Sequence, residues 1–395
     1  MKSGELTAFK KSEYFTRLEK VKSKMSLVGL DALICCDPSN MNYLTGYDGT
    51  SYYVHQMLLI HYGCSQPIWI GRKMDVAGVK LTTYLLERNI LPYQEEYVDN
   101  RDLHPMSFVA KIIKENGLSN SRIGVEKDCW QFTARSAEVL ISDLPNAELV
   151  DAFGLVNDIR LIKSDAEISY IKAAAKIADL AMDAGINAIQ PGIRDSEVAG
   201  AISKAQFSGT NEFSGDYPAA HPQLPSGTAT SAPHLTWTGR KYASECITYL
   251  EIAGCHKRYH APLARSICLG KIPKWLKDLE LVVGEGINRS IETAIAGKTC
   301  ETVERTWQSF ISKTNYSKDS RIGYSVGIGY PPDWGERNAS FMKGDRTVLR
   351  ENMCFHMIIG IWGEEKGYEI SETIRIKNQG PPEILTNYPR ELIIK

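Results

Sequence analysis

The hydrophobic pattern of this chain changes near residue 160, and this change restricts the possible folds more than any other feature. Before it, short apolar runs such as Asp31–Cys36 and Arg122–Glu126 alternate with helical stretches such as Glu13–Leu27. Strands that alternate with helices predict an α/β domain. The same part is predicted to contain strands at Met57–Ile60 and Pro67–Ile70 and helices at Val76–Arg88 and Ser107–Asn116. Because 395 residues are too many for one compact core, we expect two domains, residues 1–160 and 161–395.

The second part begins with a strong helix signal. Ser164 and Glu167 have the spacing of a capping box, in which each side chain satisfies a free backbone N–H group of the other residue. Apolar residues then recur at steps of three and four until Pro191-Gly192 ends the helix. Further helices are predicted at Asp195–Phe207, Trp275–Ala296 and Glu301–Lys313, and strands at Ile247–Ala253, Arg265–Leu269, Met353–Trp362 and Tyr368–Ile376. Helices in blocks beside antiparallel strands predict an α+β domain.

Charge and composition argue against several classes of function. The 46 basic and 47 acidic residues are spread along the chain without a basic run, so neither nucleic acid nor an anionic membrane is an expected partner. The first eleven residues are polar, and no apolar stretch reaches the length of about 18 residues that a membrane span needs. Several of the nine cysteines lie inside apolar runs, and no CxxC pair occurs. This usage predicts buried free thiols and a cytoplasmic protein.

Two polar residues interrupt apolar strands and are candidate catalytic groups. Glu251 lies within Tyr249–Gly254, where a buried carboxylate is costly unless it is paired or functional. Periodicity alone equally allows an exposed position on an amphipathic strand. His356 interrupts Met353–Trp362 in the same way, and a core histidine with satisfied hydrogen bonds is the alternative interpretation.

Two loop-like segments carry further candidates. Residues 226–237 are expected to form a loop that presents His234 and Trp237. Residues 327–336 are rich in glycine but lack the Lys-Ser/Thr ending of a phosphate loop, so we reject that function. Their two prolines predict a rigid turn that presents Asp333, Trp334 and Glu336.

Together these motifs resemble the creatinase/methionine-aminopeptidase family. The order and spacing of His234, Glu251, the Gly327–Gly329 turn and the last two long strands are those of the family. Several phrases resemble its ectoine-hydrolysing members: Leu44–Gly49, Gly215–Ala219, Ala232–Trp237, Glu251–Cys255 and Tyr330–Arg337. The resemblance covers nearly the whole chain. It implies a creatinase-like α/β N-terminal domain and an α+β pita-bread domain with a curved antiparallel sheet flanked by helices.

The resemblance also implies a site without metal or other cofactor. Peptidases of the family bind two metal ions through two Asp, one His and two Glu, and these positions fall on Glu251, Pro262, Val326, Ile358 and Ser371. Pro, Val and Ile cannot coordinate a divalent cation. His234 falls on the position of the catalytic histidine that is not a metal ligand. We therefore expect hydrolysis of a cyclic amidine, with Glu251 as nucleophile or base, His234 as acid and His356 as a second proton carrier.

Substrate-binding residues follow from the same comparison. Aromatic side chains suit a delocalised cation, and Asp333 or Glu336 could bind a substrate nitrogen. A substrate carboxylate calls for Arg265 or Arg258. In creatinases the N-terminal domain of one subunit reaches the partner's site, which implies a homodimer with a pocket completed across subunits. The expected substrate-binding set is Tyr217, Trp237, Asp333, Trp334, Glu336, Trp362 and Arg265, with Tyr52, Tyr53 and His55 contributed across the dimer.

Three other functions stay open at this level. A metal-dependent Xaa-Pro dipeptidase would be typical of the fold, a creatinase-type enzyme would act on a guanidinium by the same carboxylate logic, and a pita-bread domain can also serve as a non-catalytic binding module. The resemblance implies ectoine as the substrate, and departures from the ectoine-type pattern at residues 210–214, His221 and Ala261 leave open whether 5-hydroxyectoine or another small cyclic amidine is preferred.

Overall fold

The computed structural model describes residues 4–395, so the first three residues of the polar amino-terminal segment lie outside the described part. The chain forms two compact units, Met1–Arg160 and Leu161–Lys395. Among the described residues, no helix is both long enough and apolar enough to cross a membrane.

The first unit is a mixed sheet with helices. Its helices are α1 Lys11–Leu27, α2 Pro38–Thr45, α3 Val76–Thr82, α4 Pro105–Glu115, α5 Ala134–Asp143 and α6 Leu155–Arg160. Its strands are β1 Ala32–Cys35, β2 Met57–His61, β3 Ile68–Arg72, β4 Ile90–Tyr93, β5 Arg122–Val125 and β6 Glu148–Asp151. They are ordered β4-β3-β2-β1-β5-β6, and β1, β5 and β6 are parallel. The predicted α/β class is confirmed.

One predicted helix of this unit is too long. The helix expected at Val76–Arg88 ends at Thr82, because Thr83 has an extended backbone and its hydroxyl accepts from the N–H group of Leu85. The side chain of Gln66 accepts from the N–H group of Leu86 and so replaces the next helical bond. Strand β4 follows, and its Pro92 is tolerated because this strand forms the edge of the sheet.

The second unit combines long helices with an antiparallel sheet. Its helices are α7 Asp165–Ala188, α8 Asp195–Ser208, α9 Lys274–Thr293 and α10 Cys300–Ile311. Its strands are β7 Cys246–His256, β8 Tyr259–Leu269, β9 Gly323–Tyr330, β10 Asp333–Ser340, β11 Cys354–Gly363, β12 Lys366–Arg375, β13 Glu383–Ile384 and β14 Ile393–Ile394. The order is β13-β12-β11-β9-β8-β14, with β7 on β8 and β10 on β9, and the sheet is curved. The predicted α+β pita-bread fold is confirmed.

Helix α7 starts where the sequence predicts and packs on the sheet. Both bonds of the capping box form, from the Ser164 N–H group to Glu167 Oε2 at 2.9 Å and from the Glu167 N–H group to Ser164 Oγ at 3.3 Å. The helix approaches β7 so closely that a Cβ atom at Gly254 would collide with the backbone oxygen of Ala174. This close packing fixes β7, the strand that carries Glu251.

The expectation of a loop over residues 327–336 is wrong for most of the segment. Strands β9 and β10 form a hairpin, and only the Pro331-Pro332 dipeptide lies in its turn. Asp333, Trp334 and Glu336 therefore lie on strand β10. Glycine at 327 reflects close packing within the hairpin, since a Cβ atom there would collide with the carboxylate of Glu336.

Candidate active site

A cavity of about 510 Å³ opens in the second unit and brings several of the predicted residues together. Its walls come from four strands, from the segment between α10 and β9 and from the loop before β7. The residues that carry its chemistry are Glu251, His234, Lys318, Arg321, Tyr324, Asp333, Trp334 and Trp362. The lining therefore combines both signs of charge with aromatic surface.

Glu251 projects from strand β7 into this cavity although it is only 5% exposed. Its backbone is fixed by two bonds to Gln223, both of 2.9 Å. With its amide nitrogen turned towards the carboxylate, Gln223 also donates to Glu251 Oε2 at 3.3 Å. No ion pair to Glu251 forms within residues 4–395. Burial raises the pKa of Glu251 to about 7, with nearby Lys318 opposing the rise and Asp333 adding to it.

Lys318 lies beside Glu251 and was not predicted from the sequence. Its ammonium donates to Ser320 Oγ at 2.8 Å and sits 4.3 Å from the centre of the Trp362 ring. Burial lowers its pKa to about 8, and the carboxylates of Glu369 and Glu251 oppose this shift. A cation in this position favours the ionised form of Glu251.

Glu369 on strand β12 is a second buried acid close to Glu251. It is fully buried, and neither carboxyl oxygen has a hydrogen-bond partner among the described residues. Burial, and then repulsion by Glu251, raise the pKa of Glu369. Two buried acids so close together disfavour ionisation of both at once.

The far wall of the cavity rests on a hydrogen-bond chain. Trp334 Nε1 donates to the hydroxyl of Tyr324 at 2.8 Å, and this hydroxyl lies 3.0 Å from His356 Nδ1. The other ring nitrogen of His356 lies 2.7 Å from Ser371 Oγ. The neutral imidazole of His356 donates through one ring nitrogen and accepts through the other, so it links the hydroxyls of Tyr324 and Ser371. Burial lowers the pKa of His356 to about 3, so the ring is neutral.

His234 lies at the exposed side of the cavity, in the loop that follows the short 3₁₀ helix Gly227–Ser231. It also lines an adjoining cavity of about 440 Å³, which shares Gln223 and Pro332 with the first. A histidine that touches both spaces could exchange protons with a ligand of the main cavity and with solvent.

The structure separates the predicted substrate-binding residues into three groups. Asp333, Trp334 and Trp362 line the main cavity. Tyr217 lines only the adjoining one, where the guanidinium of Arg258 lies 3.8 Å from its ring centre. Trp237 is 38% exposed and contacts His221 rather than lining either cavity.

Three predicted site residues lie in the core instead. Arg265 is fully buried and bound by Glu372 at 2.7 Å and by several backbone carbonyls, so it has no donor left for a substrate. Glu336 forms a buried ion pair with Lys163 at 2.6 Å, and the pairing of β10 with β9 is irregular on both sides of Gly335, so simple strand alternation does not carry Glu336 to the face of Trp334. His356 does not line the cavity either and acts on it only through Tyr324.

Tyr52, Tyr53 and His55 belong to the first unit. Tyr53 is 76% exposed, while the Nε2 atom of His55 lies 3.2 Å from Ser136 Oγ. Their predicted role depends on a second subunit and stays a prediction.

The positions that bind metal in peptidases of this fold do not offer a metal site here. Pro262 and Val326 are buried and have no side-chain atom that could bind a metal ion, and Ile358 lines the cavity beside Glu251. Ser371 lies opposite Ile358 and is hydrogen-bonded to His356. In the part of the chain that the structure describes, no group of three or more His, Cys, Asp or Glu residues could hold a metal ion. The donor set does not fit the metals of the fold.

The residues missed from the sequence differ in how detectable they were. Glu369 interrupts an apolar strand as Glu251 does, and it shares a strand face with Ser371, so the same argument would have found it. Lys318 and Arg321 stand in a polar segment between two elements, where charged residues are normally exposed, and the sequence gives no signal there.

Comparison with known proteins identifies the family of both units. The sequence profile of metallopeptidase family M24 matches residues 169–378, and that of the creatinase/prolidase N-terminal domain matches residues 17–162. An ectoine hydrolase of Halomonas elongata is 39% identical over 98% of both chains. An uncharacterized hydrolase/peptidase of Sinorhizobium fredii is 37% identical, again over 98% of each chain. The crystal structure of prolidase from Thermococcus sibiricus superposes with a TM-score of 0.81 at 20% identity, covering 97% of this chain and 99% of the other.

Proposed function

The chain belongs to metallopeptidase family M24, with a creatinase/prolidase N-terminal domain, and we propose that it opens the ring of ectoine or of a closely related cyclic amidine. It is a hydrolase that acts on C–N bonds. We infer the substrate from the ectoine hydrolase of Halomonas elongata, which is 39% identical to this chain over 98% of both chains. The buried carboxylate and the aromatic rings of the cavity suit such a substrate.

One observation carries the proposal: a nearly buried carboxylate, Glu251, faces a cavity and has no ion-pair partner within the described residues. A buried carboxylate without a counterion is costly, and a cationic substrate relieves that cost on binding. A protonated cyclic amidine is such a cation, and its central carbon is already electron-poor. The indole rings of Trp334 and Trp362 add surfaces that suit a delocalised cation.

Two routes are possible for the proposed reaction. In the first, Glu251 attacks the amidine carbon that carries the methyl group and forms a covalent bond with it. In the second, Glu251 takes a proton from a water molecule, and this water attacks the same carbon. One ring C–N bond breaks as His234 gives a proton to the departing nitrogen. In the covalent route water then attacks the same carbon and the bond between that carbon and Glu251 breaks. In both routes water supplies the oxygen of the new acetamide, one of its hydrogens restores the proton that His234 gave, and the other ends on the amino group of the product. The product is an N-acetyl-2,4-diaminobutyrate, one water heavier than ectoine. Both routes use the same two residues.

Three alternatives make different demands on the site. A metal-dependent Xaa-Pro dipeptidase needs five ligand side chains where this chain has Glu251, Pro262, Val326, Ile358 and Ser371. A creatinase-type enzyme would use the same carboxylate for a guanidinium, and a panel containing ectoine, 5-hydroxyectoine and creatine separates these substrates. A binding module would hold the ligand without turning it over.

Three further points belong to the proposal. We take units 1–160 and 161–395 as the creatinase-type N-terminal domain and the catalytic domain. We place the enzyme in the cytoplasm, where its nine free cysteines would stay reduced. We also propose a homodimer in which Tyr52, Tyr53 and His55 complete the partner's pocket.

The direct test is incubation of purified, chelator-treated protein with ectoine, followed by mass detection of a product one water heavier. We expect turnover to survive chelation, and Glu251→Gln to lower kcat at least about 100-fold with an unchanged circular dichroism spectrum. Glu245→Gln, at an exposed position before the same strand, is the matched control and should retain full activity. Near-normal turnover by Glu251→Gln, or activity that depends on added metal, would contradict the assignment.

A further inference from the structure

The cavity presents charges of both signs to its ligand. Glu251 and Asp333 supply carboxylates, and Lys318 and Arg321 supply cations. Under the proposed function the ligand is a zwitterion, because ectoine carries a carboxylate on its amidinium ring. Arg265, the expected partner of that carboxylate, is fully engaged in the core. We propose that Arg321 forms the carboxylate subsite and makes the enzyme selective for cyclic amidines that bear an acid group.

Lys318 is already committed to other groups. It donates to Ser320, its ammonium lies over Trp362, and the acids Glu251 and Glu369 are its electrostatic partners. Its positive charge thus offsets only part of the cost of burying Glu251, and a substrate carboxylate beside it would compete with that acid.

Arg321, by contrast, has donors to spare. It is exposed at the cavity wall and has no ion pair with the residues that the structure describes. Nη1 donates to Ser340 Oγ at 3.3 Å, which leaves the remaining N–H groups of the guanidinium for a ligand. A guanidinium offers two parallel N–H groups to one carboxylate, which an ammonium cannot do.

The position of Arg321 is fixed by the ring beneath it. Its guanidinium carbon lies 4.1 Å from the centre of the Tyr324 ring, a cation–π contact. Trp334 and His356 hold the hydroxyl of that tyrosine at 2.8 and 3.0 Å, and both are themselves buried. The arginine thus rests on a platform that is ordered before the substrate arrives, which reduces the entropic cost of binding. His356 is accordingly a positioning residue.

The test compares two substrates in the wild type and in three arginine variants. Ectoine and its carboxyl-free analogue 2-methyl-1,4,5,6-tetrahydropyrimidine are given to the wild type and to Arg321→Gln, with Arg346→Gln as an exposed-arginine control. Arg321→Gln should lower kcat/KM for ectoine about 10- to 100-fold, mainly through KM, and should leave the analogue within about 2-fold. Arg321→Lys keeps the positive charge but lacks the two parallel N–H groups, so its kcat/KM for ectoine should lie between those of the wild type and Arg321→Gln.

The outcomes separate the subsite from the proposed function. Absence of ectoine turnover by the wild type would overturn the proposed function, and calorimetric titration of ectoine into the wild type and Arg321→Gln would still measure the subsite. If ectoine is hydrolysed but Arg321→Gln affects both substrates equally, or neither, the subsite is wrong. Thermal melting of each variant shows whether a loss arises from unfolding instead.

Discussion

Glu251 shows how a single residue can be unfavourable for the fold and useful for the reaction. Its carboxylate is nearly buried and lies close to Asp333 and Glu369, and Lys318 offsets part of its charge. Desolvation favours the protonated form, whereas the proposed reaction requires the ionised form. The site therefore keeps an acid poised near neutral pH, where a bound amidinium would stabilise its charge.

The stability of the second unit should depend on pH through this residue. The pKa of Glu251 is about 7 in the folded protein and 4.5 for an ordinary glutamate. Between these values the folded carboxyl keeps a proton that the unfolded one has released, so stability falls as pH rises through this window. Glu251→Gln removes the effect and should melt at least about 2–4 °C above the wild type at pH 8.

Thermal melting from pH 4 to 8 measures the difference. The melting temperatures of Glu251→Gln and the wild type should converge below about pH 4.5, where the carboxyl of residue 251 is protonated in both the folded and the unfolded protein. Glu245→Gln, at an exposed position, should show no such divergence. A constant offset between Glu251→Gln and the wild type at every pH would show that packing, and not ionisation, causes the change.

At the scale of elements, strand β10 illustrates what the sequence could not predict. Its glycine and charged residues, and the prolines before it, are typical of a loop, yet Asp333, Gly335 and Ser340 pair with β9, with irregular register between them. What holds it is the buried pair of Lys163 and Glu336, with side chains 1% and 0% exposed. Lys163 lies just before α7, far from residue 336 in the sequence, so local sequence pattern cannot predict this contact. Helix α7, in contrast, was predictable because both its capping box and its apolar period are local.

Breaking that buried pair should destabilise the protein strongly. Lys163→Met leaves a carboxylate buried without its cation, which costs about 3–5 kcal/mol of unfolding free energy. The double variant Lys163→Met/Glu336→Leu removes both charges and should recover most of the loss. Denaturant unfolding measures both values. Because β10 also carries Asp333 and Trp334, the single variant should lose activity together with stability.

A surface pair provides the control. Lys172 and Glu383 are 2.6 Å apart, with side chains 43% and 32% exposed. Lys172→Met should cost less than about 1 kcal/mol, since exposed pairs are well solvated. Equal losses at Lys163 and Lys172 would mean that burial does not distinguish the two pairs.

For the whole molecule, the fold was more predictable than the site. Alternation of strands and helices is a repeated signal, so errors at single elements such as Val76–Arg88 do not change the class. The site depends on which of several similar residues face one cavity. Arg265 opens a predicted strand whereas Arg321 stands in a polar segment, so the sequence favoured Arg265, and only the packing of strand β8 shows that Arg265 is enclosed.

The proposed dimer makes a prediction that only two subunits together can satisfy. If Tyr53 and His55 of one subunit complete the site built on Glu251 of the other, Tyr53→Ala/His55→Ala and Glu251→Gln each inactivate both sites of their homodimers. In a mixed dimer both defects fall on one site and the second site is intact. After unfolding and refolding an equimolar mixture, half of the dimers are mixed, so activity should return to about one quarter of wild type.

Light scattering on the same samples checks that dimers have formed. The control is an equimolar mixture of Glu251→Gln with His234→Ala, two defects in the same unit. In its mixed dimers each site carries one defect, so activity should stay absent. Full activity of Tyr53→Ala/His55→Ala alone would remove these residues from the site. Failure of the first mixture to recover, with dimers present, would mean that Tyr53 and His55 do not complete the site of the partner subunit.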